Sequence, residues 1–352
     1  MKALLVRDFA TPARVEEVDD PVLRPGCVIV RVDAGFVPAP MKEFTEGRVP
    51  FPLPPPPYIP GTDAIGTVEA VAEDVHGLEA GQKVYCDDWV TLKGVSGLGG
   101  YVGLAAPMPG GEAVLKEWPN GCFAEKFLLP AECVTPLGAA EKVDPAVLSR
   151  FGYIGTAYYA IKRGAFRPGH VAIVNGATGA LGVSAVLLLL AMGASTIIAM
   201  GRKPAALERL EGLAPGRVRA VSTAKGVAAA DILSVAGQAN LFVDATGFTQ
   251  DARPTRAAID ALGIEGHAVL IGGLDATIPV DYATMMIGRK LTIRGSEWFP
   301  YDMTEELLRL IGSGALDLSA TSAKVFPLDQ AAEALDAATQ VSSGFEHVAI
   351  VT

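Results

Sequence analysis

Residues 170–182, His170-Val-Ala-Ile-Val-Asn-Gly-Ala-Thr-Gly-Ala-Leu-Gly182, constrain this chain more than any other stretch. A short run of strand composition enters a glycine-rich turn, and the turn opens into the apolar run Val183–Met192, a helix with no polar face. Glycines at 176, 179 and 182 keep side chains out of the turn, so backbone N–H groups at the helix N-terminus can face an anion, helped by the helix dipole. Gly176, Ala177, Thr178, Gly179, Ala180, Leu181 and Gly182 are therefore candidate ligands for a pyrophosphate. The competing reading is a glycine turn that only lets a helix pack close to a sheet.

Strands and helices alternate around this unit. Helices are expected at Pro145–Phe151 and Thr156–Arg163, then a strand at Thr196–Met200 and a helix from Pro204. A strand at Leu241–Asp244, a helix near Arg253–Leu262 and a strand at Ala268–Ile271 follow. Such alternation predicts an α/β fold with a doubly wound parallel sheet. The first half reads differently. Short strands (Ala3–Val6, Val28–Val32, Ile65–Val71) are separated by Pro/Gly turns and by the proline-dense Pro50–Tyr58, and a long irregular stretch runs from Asp87 to Gly121. The tail carries a capping-box pattern at Asp302-x-x-Glu305, helices through Ile311 and at Asp329–Thr339, and a last strand at His347–Val351.

A net charge of −10 with no polybasic run argues against a nucleic-acid partner. The longest apolar run is about half of what a membrane span needs, and the first residues turn charged too soon for a signal peptide. Cys27, Cys86, Cys122 and Cys133 show no CxxC spacing. The expectation is a soluble cytoplasmic protein without a membrane or nucleic-acid partner.

The second strand of the parallel sheet ends in Gly201-Arg202-Lys203. An acid here would hold a ribose 2′-hydroxyl; a glycine and two cations instead make room for a 2′-phosphate, which predicts NADP(H) over NAD(H). Two surface cations in a loop are the alternative.

The chain resembles the medium-chain dehydrogenase/reductase superfamily over nearly its whole length. The resemblance rests on Pro60-Gly61-Thr-Asp-Ala-Ile-Gly66, Gly81-Gln-Lys-Val84, Gly121-Cys-Phe-Ala-Glu125, Gly155-Thr-Ala-Tyr-Tyr159, Pro168-Gly169, the glycine-rich turn and Ile293-Arg-Gly295-Ser296. It implies a GroES-like β-barrel catalytic domain, residues 1–150 with 297–352, and a Rossmann-like cofactor domain, residues 151–296. Zinc-dependent members place ligands where this chain has Pro38, Thr62-Asp63 and Gly152, and many carry four cysteines where Asp87–Gly121 has none. No zinc is expected at either place. The four histidines, His76, His170, His267 and His347, are far apart and expected at turns or strand edges, partly exposed.

The resemblance further places Thr156, Thr246, Gly272 and Gly273 at the cofactor. Candidate donors to a reacting oxygen are Tyr153 and Thr156 first, then Lys42, Tyr58, Thr62 and Trp89. Asp63 would be an acid or a partner of nearby amides. Trp89, Tyr101, Trp118 and the apolar 102–108 stretch suggest a largely hydrophobic, medium-sized substrate, and the expected partner is a small-molecule hydrophobic carbonyl compound. Three activities stay open: zinc-independent reduction of an α,β-unsaturated carbonyl or a quinone, a metal-free alcohol dehydrogenase or ketoreductase, and a catalytically inactive nucleotide-binding sensor. Ile278–Ile293, read as strand-like, is the expected seam of a homodimer formed through the cofactor domain.

Overall fold

The computed structural model describes residues 1–92 and 99–352. The chain opens with a hairpin, β1 (Lys2–Leu5) and β2 (Arg14–Glu17), followed by the long β3 (Cys27–Val37) and a short helix, α1 (Met41–Thr45). β4 (Ala64–Val71) and β5 (Lys83–Cys86) lead into a small hairpin, β6 (Trp89–Thr91) and β7 (Gly99–Tyr101), and then α2 (Glu112–Glu117). The stretch expected to be irregular thus carries regular elements, apart from residues 93–98, which lie outside the described residues. β8 (Lys126–Pro130) and β9 (Val134–Pro136) complete this half.

α3 (Pro145–Leu148) starts on Asp144, whose carboxylate accepts the Ala146 N–H, with proline in the first turn. α4 spans Phe151–Arg163, five residues earlier than the sequence suggested. Gly152 and Gly155 hid that start, because glycine is a poor helix former; here both are demanded by packing, as shown below. The second sheet then unfolds in order: β10 (Val171–Asn175), α5 (Ala180–Ala191), β11 (Thr196–Gly201), α6 (Pro204–Leu213), β12 (Val218–Ser222), α7 (Ala229–Ala236), β13 (Ala239–Asp244), α8 (Arg253–Asp260), β14 (Leu262–Leu270) and β15 (Thr292–Gly295). All pairs are parallel, in the order β12-β11-β10-β13-β14-β15. Read in sheet numbering this is 3-2-1-4-5-6, so strand order reverses between β10 and β13, where a crevice opens at the carboxyl ends.

α5 has no polar face because it has no wet one: residues 182–189 are buried between β10, β11 and α4. The 278–293 segment is not one strand. Residues Tyr282–Gly288 form a π-helical turn and only Thr292–Gly295 pair, as the edge of the sheet.

α9 (Asp302–Gly312), β16 (Ser322–Pro327), α10 (Ala331–Thr339) and β17 (Glu346–Val351) carry the chain back to its beginning. β17 pairs antiparallel with β3 and parallel with β16, giving the order β16-β17-β3-β4-β5-β9 with β8 also on β3. Asp302 sits inside the first turn of α9 rather than capping it; Tyr301 holds the cap position without a side-chain bond. His347, expected to be partly exposed, is buried on β17, where its Nε2 meets the Ala146 carbonyl at 2.8 Å. No helix among the described residues is long and apolar enough to cross a membrane.

Candidate active site

The turn after β10 is shaped by contacts that only glycine tolerates. Gly176 has φ +70°, and a Cβ there would stand 2.6 Å from the Ala245 carbonyl oxygen. A Cβ on Gly182 would stand 2.2 Å from the Gly176 oxygen, so α5 seats directly on the turn. At Gly179 the nearest atom would be 3.4 Å away; that position is open on the protein side. The N–H groups of Ala180, Leu181 and Gly182 lie in the first helical turn, without i−4 partners. This is an anion cradle of the kind a dinucleotide diphosphate requires, and the residues fit it.

A buried polar knot fixes the crevice floor, and only part of it was visible in the sequence. Asn175 is in register with Asp244, and its amide donates to Asp244 Oδ1 (3.2 Å) and Thr246 Oγ1 (2.7 Å). Thr246 Oγ1 donates to Asp244 Oδ1 at 2.6 Å, and Thr255 Oγ1 donates to Oδ2 at 2.6 Å. Asp244 is therefore spent on bracing. The Thr246 hydroxyl is spent too, so Thr246 shapes the crevice with its backbone, its carbonyl accepting the Gly273 N–H at 2.8 Å. Gly272 has to be glycine because a Cβ would meet that same carbonyl at 2.3 Å.

Gly201 ends β11 against Thr178, whose Cγ2 would lie 2.7 Å from a Cβ. Arg202 follows, exposed and without an ion pair or hydrogen bond among the described residues. Lys203 differs: its ammonium is drawn to the Ser342 carbonyl. That contact belongs to a feature with little trace in the sequence. The segment before β17 folds over the glycine turn, with Gly344 N–H donating to Thr178 O at 2.8 Å and Gly344 packed on Gly179. Arg150, fully buried without an acidic partner, ties it down by donating from Nη2 to Gly344 O (2.9 Å) and Ala180 O (3.1 Å). Burial lowers its pKa to about 10.

The resemblance assigns zinc ligands, in zinc-dependent chains, to the positions of Pro38, Thr62-Asp63 and Gly152. Pro38 has no donor. Thr62 Oγ1 donates to Phe36 O at 2.9 Å. Asp63 Oδ2 accepts the Gly152 N–H at 2.8 Å, and burial raises its pKa to about 7. A Cβ at Gly152 would stand 2.4 Å from Trp298 Cη2 and 2.9 Å from Asp63 Oδ2. An indole thus fills the space a ligand side chain would need, and one carboxyl remains where a tetrahedral site needs several N or S donors. Among the described residues no three His, Cys, Asp or Glu side chains are grouped to hold an ion.

The structure sorts the candidate donors. Tyr153 sits on α4 with its ring edge-on to Phe36, centroids 4.8 Å apart, and its hydroxyl has no hydrogen-bond partner among the described residues. Burial, with the Asp63 charge nearby, raises its pKa to about 12, so it stays a proton-bearing donor. Thr156 Oγ1 donates to Gly152 O at 2.8 Å, which leaves it an acceptor. Thr62 is likewise spent as a donor. Lys42 is turned to the surface, where its ammonium pairs with Asp336 on α10. Tyr58 is a core residue, 1% exposed, whose backbone bonds Val6.

Trp89 and Tyr101 do meet, at 4.6 Å between centroids, and Trp298 joins them at 5.2 Å from Tyr101. Trp298 Nε1 donates to Asp87 Oδ1 at 2.7 Å, a partnership no local pattern announces. Trp118 is elsewhere, beneath the Arg24 guanidinium.

Residues 24–139 match the alcohol dehydrogenase GroES-like domain. An alcohol dehydrogenase of Moraxella sp. (strain TAE123) is 31% identical over 201 residues, 55% of this chain and 56% of that protein. An acryloyl-coenzyme A reductase of Sulfurisphaera tokodaii is 29% identical over 204 residues, 56% of this chain and 58% of that one. These alignments span little more than half the length of either relative. Among solved structures, the alcohol dehydrogenase TADH from Thermus sp. ATN1 superposes with a TM-score of 0.82 at 22% identity, covering 100% of this chain and 99% of its own.

Proposed function

The chain belongs to the medium-chain dehydrogenase/reductase superfamily, and from that premise we propose a zinc-independent, NADP(H)-dependent oxidoreductase that reduces an α,β-unsaturated carbonyl or a quinone. One observation carries the reading. The glycine turn after β10 has the close approaches that a dinucleotide cradle requires, while Trp298 lies over Gly152, where a metal-ligand side chain would need space. NADP(H), when bound, supplies the hydride. The glycine turn and the first turn of α5 would hold its diphosphate, Arg202 its 2′-phosphate, and the Thr156 oxygen would accept from its carboxamide.

What remains for the protein is the charge that develops on the substrate oxygen. Without a Lewis acid, charge spread over an enolate is the easier burden, and a protonated Tyr153 can donate to it. Tyr153→Phe should then lower kcat about tenfold at unchanged NADPH affinity, the worth of one hydrogen bond to a delocalised anion. Arg202→Ala should weaken NADPH about 10- to 30-fold and NADH hardly at all, since the arginine is exposed and water replaces part of its bond. Equal losses for the two coenzymes would remove the case for the 2′-phosphate.

The deciding experiment follows NADPH absorbance against enones, quinones, ketones and aldehydes, with elemental analysis of the same preparation. Enone or quinone turnover without zinc is the expected result. Turnover of ketones alone favours a metal-free ketoreductase or alcohol dehydrogenase, and tight NADPH binding with no turnover a sensor. Stoichiometric zinc would overturn the proposal. Dimerisation through the β15 edge is proposed with it, because that strand's outer side is unpaired among the described residues and Val280, Tyr282 and Ile287 are exposed beside it. Sedimentation reads it directly.

A further inference from the structure

Past the carboxyl end of β15 the chain turns through Glu297-Trp298-Phe299-Pro300-Tyr301, and this turn, with Trp89 and Tyr159, lines a cavity of about 300 Å³. Tyr159 lies one helical turn beyond Thr156 on α4, so the cavity adjoins the proposed reaction site. Its wall is mostly aromatic rings, with Thr91, Pro300 and one carboxylate, that of Glu297. Tyr101 donates its hydroxyl to Glu297 Oε1 at 3.1 Å, leaving the other oxygen without a protein donor among the described residues. No lysine or arginine among the described residues pairs with Glu297. Among the described residues, Arg163 is held over the Tyr159 ring, with Nη1 donating to its hydroxyl at 3.2 Å.

A purely apolar ligand would strip water from the Glu297 carboxylate and give nothing back. An anion would face a carboxylate and the negative faces of the rings. A cation whose charge is spread over methyl groups satisfies both components, stacking on the rings and neutralising the acid. Trp298 is suited to this, since its Nε1–H is given to Asp87, which enriches the indole face in electron density. Burial raises the Glu297 pKa, and among the described residues no cation pairs with it.

We propose that this cavity is a subsite for an alkylated ammonium group, carried on the end of the substrate away from the reacting carbonyl. The word substrate rests on the oxidoreductase reading above; the preference for a cation does not.

Choline and its neutral isostere 3,3-dimethyl-1-butanol, at constant ionic strength, test the preference through tryptophan fluorescence in a Trp118→Phe background, where the reporting indoles are Trp89 and Trp298. Choline should bind about tenfold more tightly than the alcohol, and Glu297→Gln, which keeps an acceptor for Tyr101, should reduce that ratio to about twofold or less. Circular dichroism checks that the variants are folded. Equal binding of the two probes, no saturable choline signal, or a preference that survives in Glu297→Gln would overturn the proposal. Choline preference without NADPH turnover would sink the reductase reading alone; turnover of neutral enones without choline preference would sink this one alone.

Discussion

Gly182→Val should weaken dinucleotide binding at least about 100-fold and lower the melting temperature, whereas Gly179→Ala should weaken binding at least about tenfold with the melting temperature unchanged. The two glycines are needed for different reasons. At 182 a side chain would run into backbone: the Gly176 oxygen at 2.2 Å and the Ala177 Cα at 2.6 Å. Neither can yield without lifting α5 off the turn, and α5 is buried along residues 182–189. The helix therefore shifts, its first N–H groups stop converging, and packing is lost along with affinity. At 179 the protein has room, since the nearest atom to an added Cβ is 3.4 Å away. A methyl there would cost the fold little and would stand where a diphosphate must approach the backbone. Isothermal titration with NADPH and thermal melts of both variants check the pair. If Gly179→Ala binds like wild type, the turn is only a packing device, and the cofactor reading fails with it.

That contrast also marks what the sequence could convey. The strand–turn–helix unit was legible because it is local: its parts are contiguous, and glycine spacing records the close approaches directly. The parallel sheet was legible from alternation for the same reason. Pairings across long separations left no such record. Trp298 meets Asp87 across 211 positions, and Arg150 reaches Gly344 across 194. Gly152 and Gly155 argued locally against a helix, while the physical demand came from Trp298 and Phe299 lying on them, at 2.4 and 2.2 Å from the added Cβ atoms. Thr62, Thr156 and Thr246 look alike as hydroxyl residues near a cleft. Only the fold shows that each already donates its hydroxyl hydrogen bond to a nearby carbonyl or carboxylate, whereas Tyr153 does not. Lys42 is a general lesson in long cations: a flexible stem follows the nearest carboxylate, here Asp336.

The same long-range packing buries three acids, and they give the protein an unusual pH response. Asp63, Asp87 and Asp88 are each about 2% exposed or less, and both oxygens of Asp88 lack a hydrogen-bond partner among the described residues. Burial raises the Asp63 pKa to about 7 and that of Asp87 to about 8, and raises Asp88 by the same cause. Carboxylates raised above their unfolded values bind protons more tightly in the folded state, so their contribution to stability is present in acid and lost as pH rises through the folded values. His347 works the other way. Burial lowers its pKa to about 4, so its stabilising effect is complete above an unfolded value near 6.5 and drains away below it. Between pH 4 and 6.5 the two tendencies oppose each other. Between 6.5 and 8 the acids dominate, and stability should fall. Asp87→Asn isolates one of them, since the amide oxygen can still accept from Trp298 Nε1 and the Trp89 N–H, at 2.7 and 2.8 Å from the present carboxylate. Over that window wild type should lose on the order of 2–4 kcal/mol, with a fall in melting temperature of roughly 3–5 °C, and Asp87→Asn should lose distinctly less. Denaturant titrations at pH 6.5 and 8 on both proteins measure the difference. Stability that rises across this interval, or an identical fall in the variant, would mean that these carboxyls are solvated and ionised like surface acids. The indole over Gly152 would then border a wet pocket rather than a dry one.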